Sequence, residues 1–529
     1  MKRGFNRWAS GISAVLLGSL LLAACSGNNG GGEGGGTNGA GEGGGPGGAA
    51  APIEISWLSF NPPDKDGTEV QKALEEKFGV KFKNIRVERQ KYNEQLFLKI
   101  SAGEIPDVIY TESPGQLAEL AQQGVLAELP EAEIRSEMAE YAPTLDELDP
   151  SLWTYGLYDG KSYGVPLAWP IGNLPFLSGY NAEWLNKIGY AEPPTNLEEF
   201  EDVLRKFRND DPDGNGAKDT YGISAAGADR RNFTSVFGAF GIKPEWMVDE
   251  NGVVYNGLIT DQAREAFRLL QKWYKEDLID KEFITKNAQD AHNDFYNRKV
   301  GIRDWMSFQF DPTVGILGVA FKASNPDNEI VVGKPLEGPD GPGTALSYGS
   351  KNGFIAMGKP VAEDEAKKKK IYELLNALAT DEETFLLASF GIEGEHYDLV
   401  DGVAASKPEF ASEANKLSIG AGLFYGIFTQ KSTLMEKHDY PKSSLEFAAA
   451  MDEGMEGRKH YAVPWSVPEV AEQYPDLGTL ETESYIKFIT GELDLDEDFD
   501  KFVSDWKTMG GQALTDAINE KYKGLFAPK

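Results

Sequence analysis

Strand and helix patterns alternate without a break from Ile53 to Tyr110, and this alternation constrains the fold more than any other feature. Ile53, Ile55 and Trp57 alternate with Glu54 and Ser56, the period of a half-buried strand. Val70, Leu74 and Phe78 then fall four apart on one helical face that ends near Gly79. Val80, Phe82, Ile85 and Val87 read as a second strand, Tyr92, Leu96 and Ile100 as a second helix, and Asp107-Val108-Ile109-Tyr110 as a third strand. Strands separated by helices lie parallel with right-handed crossovers. Ligands of such sheets sit beyond the carboxyl ends of the strands, here at Trp57-Leu58-Ser59-Phe60-Asn61 and Tyr110-Thr111-Glu112. Helical periods recur around Leu197–Phe207, Ala263–Tyr274, Lys367–Leu378 and Phe499–Trp506. Strand-like runs lie between them at Phe176–Tyr180, Val300–Ile302, Ile330–Val332 and Gly353–Met357. No fixed-period repeat and no count of eight βα units is present, so two α/β lobes fit better than a barrel.

The amino terminus follows a different logic. Lys2, Arg3 and Arg7 form a basic start, and Gly11 to Leu22 is apolar but too short to span about 30 Å of hydrocarbon. The stretch ends in Leu22-Ala23-Ala24-Cys25, the pattern of a bacterial lipobox, and Cys25 is the one cysteine of the chain. Cleavage before Cys25 and acylation of its thiol and amine are expected, with residues 1–24 as the lipoprotein signal peptide. Residues 25–50 are the lipidated Cys and a Gly-rich tether with almost no side chains to bury. The Gly-x-Gly-x-x-Gly matches inside the tether have no strand before them or helix after them, so they are not dinucleotide loops.

The 84 Asp and Glu against 52 Lys and Arg give a net charge of −32, which becomes −35 once Lys2, Arg3 and Arg7 are removed. That balance argues against nucleic acid, whose phosphates need a basic surface. A single cysteine excludes a disulfide framework and a multi-Cys metal cluster. His292, His396, His438 and His460 are not at metal-ligand spacing, and neither a Gly-x-Ser-x-Gly nor a P-loop pattern occurs. Catalysis has no positive signal.

Several phrases occur in a recognisable order: Ala102-Gly103-Glu104-Ile105-Pro106-Asp107-Val108, Tyr163-Gly164-Val165-Pro166, Tyr180-Asn181 with Trp184-Leu185, then Gly189 and Pro194-Thr195. Gly391-Ile392-Glu393-Gly394-Glu395-His396-Tyr397 and Phe488-Ile489-Thr490-Gly491-Glu492 follow near the end. The chain resembles the extracellular solute-binding proteins of family 1, in the long branch of LipO-type lipoproteins and alginate-oligosaccharide-binding proteins. One departure is Asp277, where the family usually has Gly. The resemblance implies an α/β fold of the periplasmic-binding-protein-like class II, in which two lobes joined by a hinge close on a solute in the cleft between them. The expected division is 51–172 plus 350–415 for the N-terminal lobe and 173–349 plus 416–529 for the C-terminal lobe.

Asp211-Pro212-Asp213-Gly214-Asn215-Gly216-Ala217-Lys218-Asp219 places oxygens at loop positions 1, 3, 5 and 9, a turn glycine at 6 and the Ala217 carbonyl at 7. This is the ligand order of an EF-hand, so Asp211, Asp213, Asn215, Ala217 and Asp219 are expected to hold a structural calcium ion. Gly222 stands at position 12, where the bidentate Glu is missing. The alginate-binding relatives carry a similar loop. For the solute, sugars need aromatic faces and planar polar groups. Trp57, Trp169 and Trp305 lead as candidates, with Tyr163, Tyr348 and Tyr425 behind them and Asn61, Asp304 and Gln309 as hydrogen-bonding partners.

These readings converge on a lipid-anchored, monomeric substrate-binding subunit of an ABC importer on the outer face of the cytoplasmic membrane. It captures a sugar or oligosaccharide and hands it to the permease. A secreted glycoside hydrolase, which needs two carboxylates across the scissile bond, and a peptide receptor on the same clamp are the alternatives.

Overall fold

The structure is a computed structural model that describes residues 51–428, 432–463 and 467–523. The signal segment, Cys25 and the tether lie outside these residues. Among the described residues no helix is long and apolar enough to cross a membrane.

The alternation at the amino terminus builds the first sheet as expected. Its strands lie in the order Val80–Asn84, Ile53–Leu58, Val108–Thr111, Lys351–Met357, Gly164–Ala168. The first three pair in parallel, while Lys351–Met357 runs antiparallel to both of its neighbours. Thr68 starts the first crossover helix, Glu69–Phe78, by accepting from the Gln71 amide. Gly79 ends that helix at a φ of +65°, a left-handed position that a side chain would resist. The inner strand Val108–Thr111 and the strand Gly164–Ala168 are buried on both faces, whereas the edge strand Val80–Asn84 alternates and exposes Lys81 and Lys83.

The second sheet has the order Ile330–Val332, Phe176–Asn181, Val300–Met306, Tyr221–Ile223. Two strongly amphipathic helices pack on its side. Leu197–Asn209 buries Phe200, Val203, Leu204 and Phe207, and Asp261–Lys275 buries Ala263, Ala266, Phe267, Leu270 and Trp273. Asp277, at the turn after the second helix, holds a φ of +60°, which accounts for glycine being usual there.

Each sheet carries its own large core. The chain passes from the first to the second through 169–175 and returns through 347–350, and these segments run side by side. The Trp169 amide donates to the Ser350 carbonyl at 2.6 Å, Pro175 bridges Ser347 antiparallel, and the Ser347 hydroxyl donates to the Asn173 carbonyl at 3.0 Å.

Two sequence expectations need correction. Ile419, Phe424, Tyr425, Ile427 and Phe428 belong to the first core, so the last crossing between lobes lies beyond 416. Trp57 and Tyr425 are core residues and do not line a ligand edge. The Trp57 indole donates to the Phe424 carbonyl at 3.0 Å, and the Tyr425 hydroxyl donates to Asn84 Oδ1 at 2.7 Å. Strand parity sets this: Trp57 points the same way as Ile55, into the helix layer. Trp57→Ala is therefore expected to destabilise the fold by about 3–5 kcal/mol in denaturant unfolding, while the fraction still folded keeps its ligand affinity. A large loss of affinity at unchanged stability would sink the core assignment.

Candidate functional site

The antiparallel insertion of Lys351–Met357 decides where the site lies. Its first residues sit at the edge where the parallel strands end, so Lys351 and Asn352 meet Glu112, Ser113, Pro114 and Gly115, which follow the strand Val108–Thr111. Together with Trp169, Tyr348, Ala462 and Val463 these residues line a hollow of about 500 Å³. Lys351, Ala462 and Val463 also belong to an adjoining hollow of about 270 Å³, bounded by Tyr155 and Ser151 from the first lobe and by Lys243, Met247, Val248, Lys459, His460 and Tyr461 from the second. The walls of this gap thus come from both lobes and from the crossing segments.

A larger hollow of about 760 Å³ lies outside the gap, against the helices Leu197–Asn209 and Asp261–Lys275. Its charged groups pair with one another, Arg205 with Glu201 at 2.8 Å and Lys272 with Glu201 at 2.7 Å, and its lining comes from the second lobe. Paired charges on one lobe neither hold a ligand nor respond to closure.

Inside the gap the charges are unlike those of the surface. Lys243 is 2% exposed and its ammonium donates to the Tyr461 carbonyl at 2.8 Å. The Lys351 ammonium lies 4.9 Å from the centre of the Tyr155 ring. Among the described residues neither lysine forms an ion pair. Burial pushes the Lys243 ammonium down to about 8, and burial together with repulsion from Lys243 pushes Lys351 down to about 7. Lys459 differs, because Asp452 balances it at 2.7 Å. His460 Nε2 meets the Gly241 carbonyl at 2.7 Å, so that nitrogen carries the proton; burial, with help from Lys243, holds the ring neutral at about 4. At the crossing, Arg231 forks onto Asp229 at 2.9 and 2.7 Å and donates to the Tyr348 hydroxyl at 3.1 Å. Burial alone would raise the Asp229 carboxyl, but this fork holds it below its usual range.

Comparison with known proteins fits this geometry. Residues 69–302 match the profile of the bacterial extracellular solute-binding proteins. Over that stretch the chain is similar to that family. It is 26% identical over 472 residues to lipoprotein LipO of Bacillus subtilis, covering 88% of this chain and 90% of LipO. It is 22% identical over 485 residues to the polygalacturonan/rhamnogalacturonan-binding protein YtcQ of the same organism, covering 89% and 91%. Among solved structures, an EF-hand mutant of the Streptococcus pneumoniae ABC-transporter substrate-binding protein FusA, in complex with fructo-nystose, superposes with a TM-score of 0.66 at 18% identity, covering 89% of this chain and 98% of that one. The periplasmic-binding-protein-like fold follows directly.

The sequence candidates separate into two groups. Trp169 and Tyr348 line the gap. Trp305 sits one layer behind them, half-buried, with the Arg231 and Arg303 guanidinium groups 4.9 and 4.8 Å from its ring and His292 edge-on at 4.9 Å. Asp304 is 1% exposed and already accepts from the Ser178 hydroxyl at 2.5 Å and the Ser235 hydroxyl at 2.7 Å, so it joins elements of the second lobe. Gln309 accepts from the Ile316 amide at 3.0 Å, Asn61 donates to Glu413, and Tyr163 packs against the first core. These four side chains line neither hollow of the gap. The residues that sequence reasoning missed are Lys243, Lys351, Tyr155, His460 and Tyr461. Only Lys351 left a trace in the sequence, as a cation opening an otherwise apolar strand.

The loop after the helix Leu197–Asn209 does gather the expected oxygens. Asp211 accepts from the amides of Asn215 at 3.1 Å and Gly216 at 2.9 Å, while Gly214 and Gly216 hold φ of +76° and +79°. The Asn215 side-chain amide donates to Asp213 at 2.8 Å and to Asp219 at 3.2 Å. Burial and the neighbouring Asp211 and Asp219 raise the Asp213 carboxyl. Carboxylates converging on one polar hydrogen-bond donor are a donor set suited to a hard divalent cation. Gly222 contributes no side chain, because a Cβ there would run into Leu204.

The two lysines have a measurable consequence for the ligand-free protein. Their folded values lie below the ordinary lysine value of about 10.4, so the unfolded chain binds more protons between about pH 7 and pH 10. Their contribution therefore makes stability rise with pH across that window. Lys351→Met is expected to flatten the rise and to stabilise the protein most at its acid end, as read from denaturant midpoints between pH 6 and pH 10. Parallel curves for variant and wild type would contradict it.

Proposed function

We propose that this protein is the substrate-binding lipoprotein of an ABC importer and that it captures a sugar or oligosaccharide between its lobes for delivery to the permease. The observation that carries this reading is a gap walled from both lobes by Trp169, Tyr348, Tyr155 and Tyr461 beside polar groups on the crossing segments. Aromatic faces cover the C–H surfaces of sugars, and hydroxyls and amides read their edges. A ligand that touches both walls binds the closed form better than the open one, which is the condition for closure to depend on it. The carbohydrate ligands named for YtcQ and FusA support the class. The lipobox ending at Cys25 and the likeness to lipoprotein LipO support acylation of Cys25 and retention on the outer face of the cytoplasmic membrane.

Binding without turnover is the expected behaviour. In calorimetry and thermal-shift assays with a panel of mono- and oligosaccharides, at least one is expected to bind, to raise the melting temperature and to be recovered intact. Trp169→Ala is expected to weaken that ligand at least tenfold, about 1.4 kcal/mol, beside a lowered ligand-free melt, because the indole also packs against two apolar clusters. Cleavage products would favour a hydrolase, and binding of peptides alone would favour the peptide receptor.

A structural calcium ion at Asp211, Asp213, Asn215, Ala217 and Asp219 belongs to the same reading, supported by the EF-hand named for the FusA structure. It would tie the helix Leu197–Asn209 to the strand Tyr221–Ile223. Calcium at a hundred times its dissociation constant adds about 2.7 kcal/mol of stability, so a chelator is expected to lower the melting temperature by several degrees. Asp213→Ala should abolish that response. Identical melts with and without chelator would remove the ion from the account.

A further inference from the structure

We infer that Arg231 is a specificity-determining plug: its guanidinium covers the Trp305 ring and so keeps a further sugar subsite of the gap shut. This rests on the saccharide reading above and narrows it to the length of saccharide that the gap admits.

Two cations lie against Trp305. The Arg231 guanidinium is 4.9 Å from the centre of that ring and the Arg303 guanidinium 4.8 Å from it. Arg303 is fully buried, whereas the Arg231 side chain is 40% exposed, so Arg231 is the outer of the two. A planar, weakly hydrated guanidinium stacks on the same aromatic face that a sugar ring would use. Charge balance does not call Arg231 to this ring. Asp229 already neutralises it through both carboxylate oxygens, and its presence helps burial push Arg303 down to about 10. A further donor of Arg231 holds the Tyr348 hydroxyl at 3.1 Å, which ties the cover to the wall of the gap.

Position supplies the rest. Tyr348 lines the hollow of about 500 Å³, and Phe176 packs edge-on against both Tyr348 and Trp305, at 5.1 and 6.1 Å. Trp305 is thus the next aromatic beyond Tyr348, and trimming Arg231 would add its half-buried ring to that wall. One more flat aromatic face is room for one more sugar unit, whose C–H surface packs on it. The loop that carries Arg231 is anchored without it. Arg230 donates to Glu481 at 2.9 Å, the Asn232 side-chain amide donates to the Asp229 carbonyl at 2.7 Å, and Asn232 Oδ1 accepts from Arg303. The plug can therefore be removed with its loop in place.

The test trims the plug and titrates the purified chain by calorimetry with galacturonan, fructan and glucan oligosaccharides of two to six units. Arg231→Ala is combined with Asp229→Asn, so that no carboxylate is left without its partner. Arg231→Met, with the same Asn, keeps an unbranched side chain over the ring and removes the charge. In the series that the wild type binds, the Ala variant is expected to bind about fivefold or more tighter, with the gain growing with chain length. The Met variant is expected to show no gain, and Trp305→Leu is expected to cancel the gain in the Ala background. Acrylamide quenching of tryptophan fluorescence reads the cover without any ligand: the Ala variant should expose one further tryptophan, and not when Trp305→Leu is also present. Should the double variant fail to fold, Arg231→Ala alone decides. Weaker binding at every length would make Arg231 a donor to the ligand and overturn the inference. Unchanged affinity at every length, unchanged quenching, or an equal gain in the Met variant would overturn it too. Each of these results leaves the saccharide reading intact, because the wild type still binds its sugar. Failure of every saccharide to bind wild type and variants would overturn that reading as well.

Discussion

The structure depends on two crossing segments that lie against each other. Residues 169–175 and 347–350 carry the chain between lobes in opposite directions and are joined by the Trp169 to Ser350 hydrogen bond of 2.6 Å and the Ser347 to Asn173 hydrogen bond of 3.0 Å. Short contacts of this kind join the two crossings along one line. Trp169 and Tyr348, which sit on the crossings, line the gap. The first sheet adds the second condition, because an antiparallel strand inserted beside parallel ones begins where they end. Lys351 is delivered to the mouth of the gap by topology.

Electrostatics then separates the gap from the rest of the surface. Outside it, most lysines and arginines of the described residues are absorbed into pairs such as Lys161 with Glu128 and Lys81 with Glu75, many of them solvent-exposed and worth little. Inside, Lys243 is buried and lies close enough to Lys351 to help push that ammonium down. Low dielectric makes that arrangement costly in the empty protein. The same environment keeps His460 neutral and leaves it a polar group for a hydroxyl. Arg231 is treated differently: Asp229 satisfies its charge, and what it offers the gap is the orientation of the Tyr348 hydroxyl.

Much of the fold was legible in the sequence, and part of the site. The alternation from Ile53 to Tyr110 determined the parallel half of the first sheet, because helix and strand periods differ and the connections permit one handedness. The EF-hand spacing at Asp211–Asp219 determined a loop whose carboxylates converge, since the ligand order is local. The family phrases pointed to two lobes and, through Tyr163-Gly164-Val165-Pro166, to the neighbourhood of Trp169. What tertiary structure alone decided was which aromatic residues face the gap. Trp57 and Trp169 are equally plausible as text, but strand parity turns Trp57 into the helix layer, where the Phe424 carbonyl receives its indole proton. Tyr425, on a short helix, and Asp304 were likewise taken out of the gap, each finding its polar partner across a long sequence separation. The meeting of Lys243 with Lys351, and of both with Tyr461, joins three segments far apart in the chain that no local period connects. A sequence records how each segment folds, whereas the empty space between lobes exists only once both have folded and come together.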